Sequence, residues 1–243
     1  MYNPPVELLA AGARKLLNLQ LTSPQIAAFQ IYADELVRRN QEFNLTGITD
    51  DAGIQIKHFL DSLSLLAVLP PGSSPARVVD VGTGAGFPGL PLKIVRSELA
   101  LTLVEATGKK ADFCQGVVDK LGLTDVTVLK ARAEELGQDP AHRERYDWAL
   151  ARAVAEMPVL AEYLLPLARL GGHALAQKGP GAPAEAQAAA GALRKLGGEV
   201  EQIVPIELPG LDDKRYLVII RKIAPTPAAY PRRAGMPSKK PLT

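Results

Sequence analysis

A single cysteine, Cys114, stands among the 243 residues, so no disulfide can close within the chain; the helix-like run around it reads as housing a buried, unreactive thiol. No apolar run approaches the roughly 18 residues that a bilayer-spanning helix requires. The opening Met1-Tyr2-Asn3-Pro4-Pro5 has neither the basic nor the apolar part of a secretion leader. These absences point to the cytoplasm. Acidic residues are missing from one stretch: between Lys214 and Thr243 there are eight Lys or Arg and no Asp or Glu. With +2 overall, the preceding residues carry −6. A basic end on an otherwise acidic chain suits a polyanionic partner, or forms a solvated tail that keeps the chain soluble. An apolar content of 47% with 22% charged residues is that of a globular chain long enough to bury a real core.

Periodicity divides the chain into three parts. Residues 1–72 read as a helical region. Val6, Leu9, Ala13 and Leu16 recur at helical spacing, Ser23-Pro24 opens a second helix with serine as cap, and a third runs from about Gly53 to Leu69. Pro70-Pro71-Gly72-Ser73-Ser74-Pro75 punctuates the chain as a linker. Residues 73–223 then alternate short β-rich runs (Arg77–Val81, Leu101–Val104, Val126–Leu129, Trp148–Ala151, His173–Gln177) with helices near Pro91–Ser97, Lys109–Leu121, Glu156–Leu167 and Ala184–Leu196. That alternation predicts an α/β fold with a mostly parallel sheet, helices on both faces. Two last strands, near Val200–Ile206 and Arg215–Arg221, have no helix between them and must pair as an antiparallel hairpin. Seven strands with a final hairpin outline the methyltransferase version of the doubly wound, Rossmann-like fold. Residues 224–243 form the basic C-terminal tail, and the alanine-rich 182–192 stretch reads as exposed helix.

The most informative segment is Asp80-Val81-Gly82-Thr83-Gly84-Ala85-Gly86-Phe87-Pro88-Gly89. A buried strand runs into a glycine turn and then a helix, at the end of the sheet where such folds bind ligands. A dinucleotide loop of the form G-x-G-x-x-G would need glycine at 87, where phenylalanine stands, and Pro88 removes a main-chain donor that a pyrophosphate would use. Asp80 favours a cationic cofactor over a phosphate. The loop therefore predicts S-adenosylmethionine and argues against an NAD-dependent dehydrogenase. Glu105, 23 residues after Gly82 at the end of the next strand, suits the two ribose hydroxyls of a nucleoside, and Arg132-Ala133-Glu134 falls where adenine would lie or simply starts a surface helix.

Asn44-Leu45-Thr46-Gly47-Ile48, His58-Phe59-Leu60-Asp61-Ser62-Leu63, the 80–89 loop, Glu105-Ala106-Thr107-Gly108-Lys109-Lys110, Ala131-Arg132-Ala133-Glu134-Glu135, Ala151-Arg152-Ala153-Val154 and Tyr230-Pro231-Arg232-Arg233-Ala234-Gly235 occur in that order. Together they resemble the glucose-inhibited division protein B family, the bacterial guanine-N7 methyltransferases of small-subunit ribosomal RNA, over essentially the whole chain. The resemblance implies cofactor contacts by Gly82, Phe87, Glu105, Ala106, Thr107, Ala133, Glu134 and Arg152. It also implies a guanine of the ribosomal decoding region as substrate.

Guanine N7 has a lone pair and no proton, so attack on a sulfonium methyl needs no general base, and alignment should carry most of the rate. No metal is called for. Candidates for holding the guanine or its phosphate are Asn44 and Thr46 (or local caps), His58 and Asp61 (or an intrahelical pair), Arg152, and Lys178, which ends the fifth strand or merely sits in a turn. Arg221, Arg232, Arg233, Lys239 and Lys240 are candidate phosphate contacts. Tyr230 is placed to stack on a base or to pack on the domain surface. A small-molecule methyltransferase and a non-catalytic RNA-binding ribosome-assembly factor are the competing readings; a monomer is expected.

Overall fold

The computed structural model describes residues 6–70, 76–211 and 213–243; most of the 70–75 linker lies outside them. Three helical segments come first. In α1, Glu7–Leu17, Leu9 and Ala13 are turned inward. The second, α2 (Ser23–Asn40), is capped by Thr22 rather than by Ser23: Gln25 N–H donates to Thr22 Oγ1 while Gln25 Oε1 accepts from Thr22 N–H, a reciprocal capping box. The third, α3, spans 51–67 and is not a uniform α-helix. Its centre, Ile54–Leu60, is a π-helix, entered from Asp51–Gly53 and left through Asp61–Leu63 and a 3-10 turn at Ser64–Ala67. Hydrophobic spacing locates such a helix but cannot reveal a widened turn inside it.

Seven strands follow: β1 Arg77–Val81, β2 Ala100–Val104, β3 Val126–Leu129, β4 Tyr146–Arg152, β5 Ala168–Lys178, β6 Gly198–Ile206 and β7 Arg215–Lys222. They form one sheet in the order β3-β2-β1-β4-β5-β7-β6. Pairing is parallel through β5; β7 runs antiparallel to both β5 and β6, as the hairpin requires. β5 begins earlier than its sequence pattern suggests, because the preceding helix stops at Leu164 and the polar Arg169–His173 stretch is carried as strand. Two helices, Ala182–Ala188 and Ala190–Lys195, stand where one was expected. Their alanines are not an exposed face: Ala182, Ala186, Ala189 and Ala192 are buried, small enough to let the helices lie close to the layer beneath.

Strand residues alternate between two cores. Val78, Leu103, Trp148, Leu150, Leu175, Leu217 and Ile219 face a core built with Leu9, Phe29, Tyr32, Leu36, Phe59 and Leu63 of the N-terminal helices. Val79, Val81, Ala149, Ala151, Ala174, Ala176, Val218 and Ile220 face the opposite core with Met157, Leu160, Leu164 and the alanine helices. The N-terminal helices therefore share the first core and cover that face of the sheet together with the helices that carry Leu90, Leu92, Phe113 and Val117.

The C-terminal segment also differs from a solvated tail. Thr226 is buried, Leu242 is 8% exposed, and Arg232 bonds through Nε and Nη2 to both carboxylate oxygens of the fully buried Glu162 (2.6 to 3.1 Å). Gly235 N–H donates to Glu134 Oε1 (2.8 Å). Beneath the strap, buried Lys222 donates to Leu165 O (2.7 Å) and pairs with Glu144 (3.2 Å); burial lowers its amine to about 8. Residues 224–243 are thus a strap across the second core. Arg232→Ala would strand the Glu162 carboxylate without a counter-charge, so urea unfolding should show a loss of about 3 kcal/mol. Arg233→Ala, at an exposed position, should leave the midpoint unchanged.

Candidate functional site

The first strand ends in a loop whose geometry follows from its glycines. Gly82, Gly84 and Gly86 have φ of 67°, 62° and 95°. At Gly86 a side chain would meet the Tyr32 hydroxyl and Leu90, while a Cβ at Gly84 would meet nothing. The turn is therefore packed against the protein on one side and open on the other, which allows a ligand to approach the Gly84 main chain. Gly84 N–H donates to Glu105 Oε2 (3.0 Å), and Glu105 Oε1 accepts from Thr107 N–H (2.7 Å). The carboxylate at the end of β2 is thereby fixed beside the open turn.

Asp80 plays another part than expected. It is fully buried, and its Oδ2 accepts from Thr83 Oγ1 (2.6 Å) and Gly89 N–H (2.8 Å), tying both ends of the loop together from behind. Closed off from solvent, it braces the loop through Oδ2, while Oδ1 has no hydrogen-bond partner. Burial, opposed by those two hydrogen bonds, raises its carboxyl from 3.8 to about 6. Cys114, as anticipated, is buried; its Sγ reaches Gly84 O at 3.4 Å, and burial pushes the thiol's pKa up.

Phe87 leaves the loop on the side of the N-terminal helices. Its ring stacks between Tyr32 (5.4 Å, 16°) and His58 (4.5 Å, 12°), and the Arg152 guanidinium lies 4.9 Å from its centroid. Tyr32 donates its hydroxyl to Ala85 O, so α2 holds the loop directly. The Phe87 ring thus pins the loop to the helical layer.

Arg152 is the last residue of β4 and shares strand parity with Trp148 and Leu150, which sends its side chain toward α3. Nη1 donates to Asp61 Oδ2 (3.2 Å) and to the carbonyls of Lys57 (3.2 Å) and His58 (3.4 Å). These two carbonyls belong to the π segment; such widened turns recur where a helix serves a site. Nη2 faces His58 Nδ1 at 3.4 Å, and His58 Nε2 lies 2.7 Å from Thr46 Oγ1. Burial and the neighbouring guanidinium lower the His58 imidazole to about 3, so it is neutral. His58 and Asp61 are not an intrahelical pair; both are partners of Arg152. Burial raises Asp61 against the pull of Arg152 and Arg215.

Two residues that sequence reasoning passed over complete the cluster. Gln177 Nε2 donates to Asp61 O (2.7 Å) and Oδ1 (2.8 Å), and Arg215 Nε approaches Asp61 Oδ1 at 3.9 Å. Both continue the inward parity of their strands, past Leu175 and Leu217, and that alternation was the available signal. A cleft of about 570 Å³ opens here, lined among others by His58, Asp61, Arg152, Gln177, Lys178 and Arg215.

Other candidates are placed differently. Asn44 is exposed, and the local capping is done by Asn40, whose Oδ1 accepts from Leu45 N–H and Thr46 N–H. Lys178 lines the cleft but engages Glu185 (2.6 Å) and Ala155 O (2.9 Å). Ala133 and Glu134 do start a helix, Ala133–Leu136, and the Glu134 carboxylate is taken by the strap at Gly235. Arg221 pairs across from His173, near the opposite end of the sheet from the cleft. Tyr230 is half-buried against the second core, its carbonyl accepting from Arg143 (2.7 Å), as the packing alternative expected. Arg232 is spent on Glu162, so of the strap's cations Arg233, Lys239 and Lys240 remain exposed.

The family described as rRNA small subunit methyltransferase G (GidB) matches residues 25–214. A relative from Roseiflexus castenholzii, Ribosomal RNA small subunit methyltransferase G, is 53% identical over 224 residues, spanning 92% of this chain and 94% of its own. The protein of the same name from Pelotomaculum thermopropionicum is 48% identical over 238 residues, spanning 97% and 98%. Among solved structures, a SAM-dependent methyltransferase from Aquifex aeolicus superposes with a TM-score of 0.52 at 20% identity, over 77% of this chain and 98% of that one. That likeness shows the shared fold.

Two outcomes follow from the loop. Gly84→Asp finds free space for its side chain but strains a left-handed backbone position (φ 62°) and sets a second carboxylate beside Glu105; calorimetry with S-adenosylhomocysteine should show binding lost, with the thermal midpoint lowered by only a few degrees, as about 1 kcal/mol of strain implies. Asp80 holds a proton in the folded chain between pH about 4 and 6 that the unfolded chain has released, so it erodes stability as pH rises through that window. Asp80→Asn has no such term: relative to the wild type, its urea midpoint should improve from about pH 4 to about pH 7, and an equal offset at both would contradict this.

Proposed function

The chain belongs to the GidB family of small-subunit ribosomal RNA methyltransferases, and from that premise we propose that it transfers the methyl group of S-adenosylmethionine to N7 of a guanine in small-subunit (16S) ribosomal RNA. The observation that carries this reading is the open Gly84 turn with Glu105 already fixed by two main-chain donors, next to a cation-lined cleft. The site fits a nucleoside: a carboxylate with free lone pairs for a ribose diol. In this reading Gly82, Gly84, Glu105, Ala106 and Thr107 hold the ribose and amino-acid parts, and the main chain at Ala133 and Glu134 borders the adenine. Phe87 acts through the stack that sets the loop.

When bound, the cofactor supplies an electrophilic methyl on a sulfonium. The chain's own residues then have to bring the guanine edge to it and exclude water. Arg152, Asp61 and His58 form a rigid wall of the cleft, with the imidazole neutral and therefore unable to protonate N7. N7 carries no proton, so the reaction needs no base at this wall, and Asp61 and His58 serve instead as the partners that fix Arg152. Lys57 and Arg215 at the cleft, and Arg233, Lys239 and Lys240 on the strap, are the cations we assign to phosphate. The reading brings with it a monomeric protein in the cytoplasm, where bacterial ribosomes are assembled; among the described residues no helix is long and apolar enough to cross a membrane.

The test is direct. Incubation with methyl-labelled S-adenosylmethionine and small ribosomal subunits should place one labelled methyl on a guanine, mapped by cleavage at N7-methylguanosine. Label on a small molecule alone, or RNA binding without label, would replace this reading with one of its rivals.

A further inference from the structure

Thr46 lies in the loop between α2 and α3, where Asn40 Oδ1 fixes its main chain by accepting from Leu45 N–H (2.7 Å) and Thr46 N–H (2.9 Å). Its hydroxyl oxygen meets two donors. Ile48 N–H reaches it at 3.0 Å and His58 Nε2 at 2.7 Å. His58 Nδ1 faces the Arg152 guanidinium, which has only N–H groups to offer, and the tautomer that matches this contact carries the ring's single proton on Nε2 and donates it to Thr46. A hydroxyl has two lone pairs and one proton. With both lone pairs occupied, the Thr46 proton can only be donated outward, and the oxygen has no acceptor capacity left for a ligand. The orientation is enforced in sequence, from Asp61 through Arg152 and His58 to Thr46.

The position matters as much as the polarity. His58 stacks on Phe87 of the 80–89 loop, and His58 and Ile48 both line the cleft. A donor-only hydroxyl bonded to these two residues of the cleft lining suits an acceptor next to the nucleophile. Guanine presents N7 and O6, two acceptors, on that edge; adenine presents N7 beside an amino donor. N7 must stay bare to receive a methyl, which leaves O6 as the handle.

We propose that Thr46 is a specificity-determining residue, donating its hydroxyl proton to O6 of the target guanine and rejecting adenine, whose amino group would face a hydroxyl unable to accept. This rests on the function proposed above. A phosphate oxygen is the other acceptor that RNA offers, and the experiment separates the two.

Small subunits are reconstituted with RNA carrying either guanosine or 2-aminopurine riboside at the methylated position; the latter keeps N7 and lacks O6. Single-turnover methyl transfer is measured for the wild type, Thr46→Val and Thr46→Ser, with S-adenosylhomocysteine affinity and a thermal melt for each. Thr46→Val should lose roughly 10-fold on guanosine, the scale of one neutral hydrogen bond, and nothing further on 2-aminopurine. The wild type's preference for guanosine therefore shrinks by the same factor. Thr46→Ser should retain the preference, and S-adenosylhomocysteine affinity should match the wild type in both variants. If Thr46→Val does not fold, Thr46→Ala gives the same preference ratio. Equal losses on the two substrates would assign the hydroxyl to a phosphate or to the loop's own structure and overturn the proposal, as would an undiminished rate on guanosine. A wild-type protein that methylates neither substrate would sink the function itself, a failure visible before any variant is compared.

Discussion

Arg152 carries a permanent positive charge into a place almost closed to water, and the mouth of the cleft is arranged around the cost of doing so. Its guanidinium is satisfied by one carboxylate, two main-chain carbonyls and an imidazole nitrogen, all from α3. Each partner is itself fixed by that bond. Asp61 is held between Arg152 and Gln177, His58 is kept neutral, and the π segment has outlets for two of its carbonyls. The sheet and its N-terminal layer are joined at this point by oriented polar contacts, whereas elsewhere they meet through apolar packing. Buried polar clusters of this kind fix geometry more than they add stability, and geometry is what an in-line transfer without acid–base help demands.

The two carboxylates of the 80–89 loop divide the work by environment. Asp80 is sealed behind the loop and braces it, with its carboxyl raised by burial. Glu105 stands at the open side, oriented by the main chain of Gly84 and Thr107. A charge beside the open Gly84 turn is thereby presented by the second strand, and the first strand supplies the brace. Sequence position alone suggested the reverse for Asp80, since a carboxylate adjoining a glycine turn reads as facing whatever the turn binds.

Much of the fold was legible because its signals are local. The glycine loop, the β–α alternation and the hairpin without an intervening helix are written in consecutive residues, and β1 and β3 fall where their β-branched runs lie. The site was legible in part. Gly84, Glu105, His58, Asp61 and Arg152 were singled out, but their mutual arrangement was not, because His58 and Asp61 meet Arg152 across more than ninety residues of chain. Gln177 and Arg215 were missed although each extends a readable period-two pattern, since parity names a face only after strand order is known. The C-terminal cations misled for a different reason. Charge counts do not reveal that a carboxylate such as Glu162, in the middle of an apolar helix, waits inside for one of them.

That last contact has a bearing on how the protein is made. Glu162 is matched by a residue 70 positions later, Glu134 by Gly235 N–H 101 positions later, and Lys222 lies under the same closing segment. During synthesis the Glu162 carboxylate therefore lacks its counter-charge until Arg232 has been made. The second core gains its last stabilising contacts later than the sheet it covers, because they come from the strap.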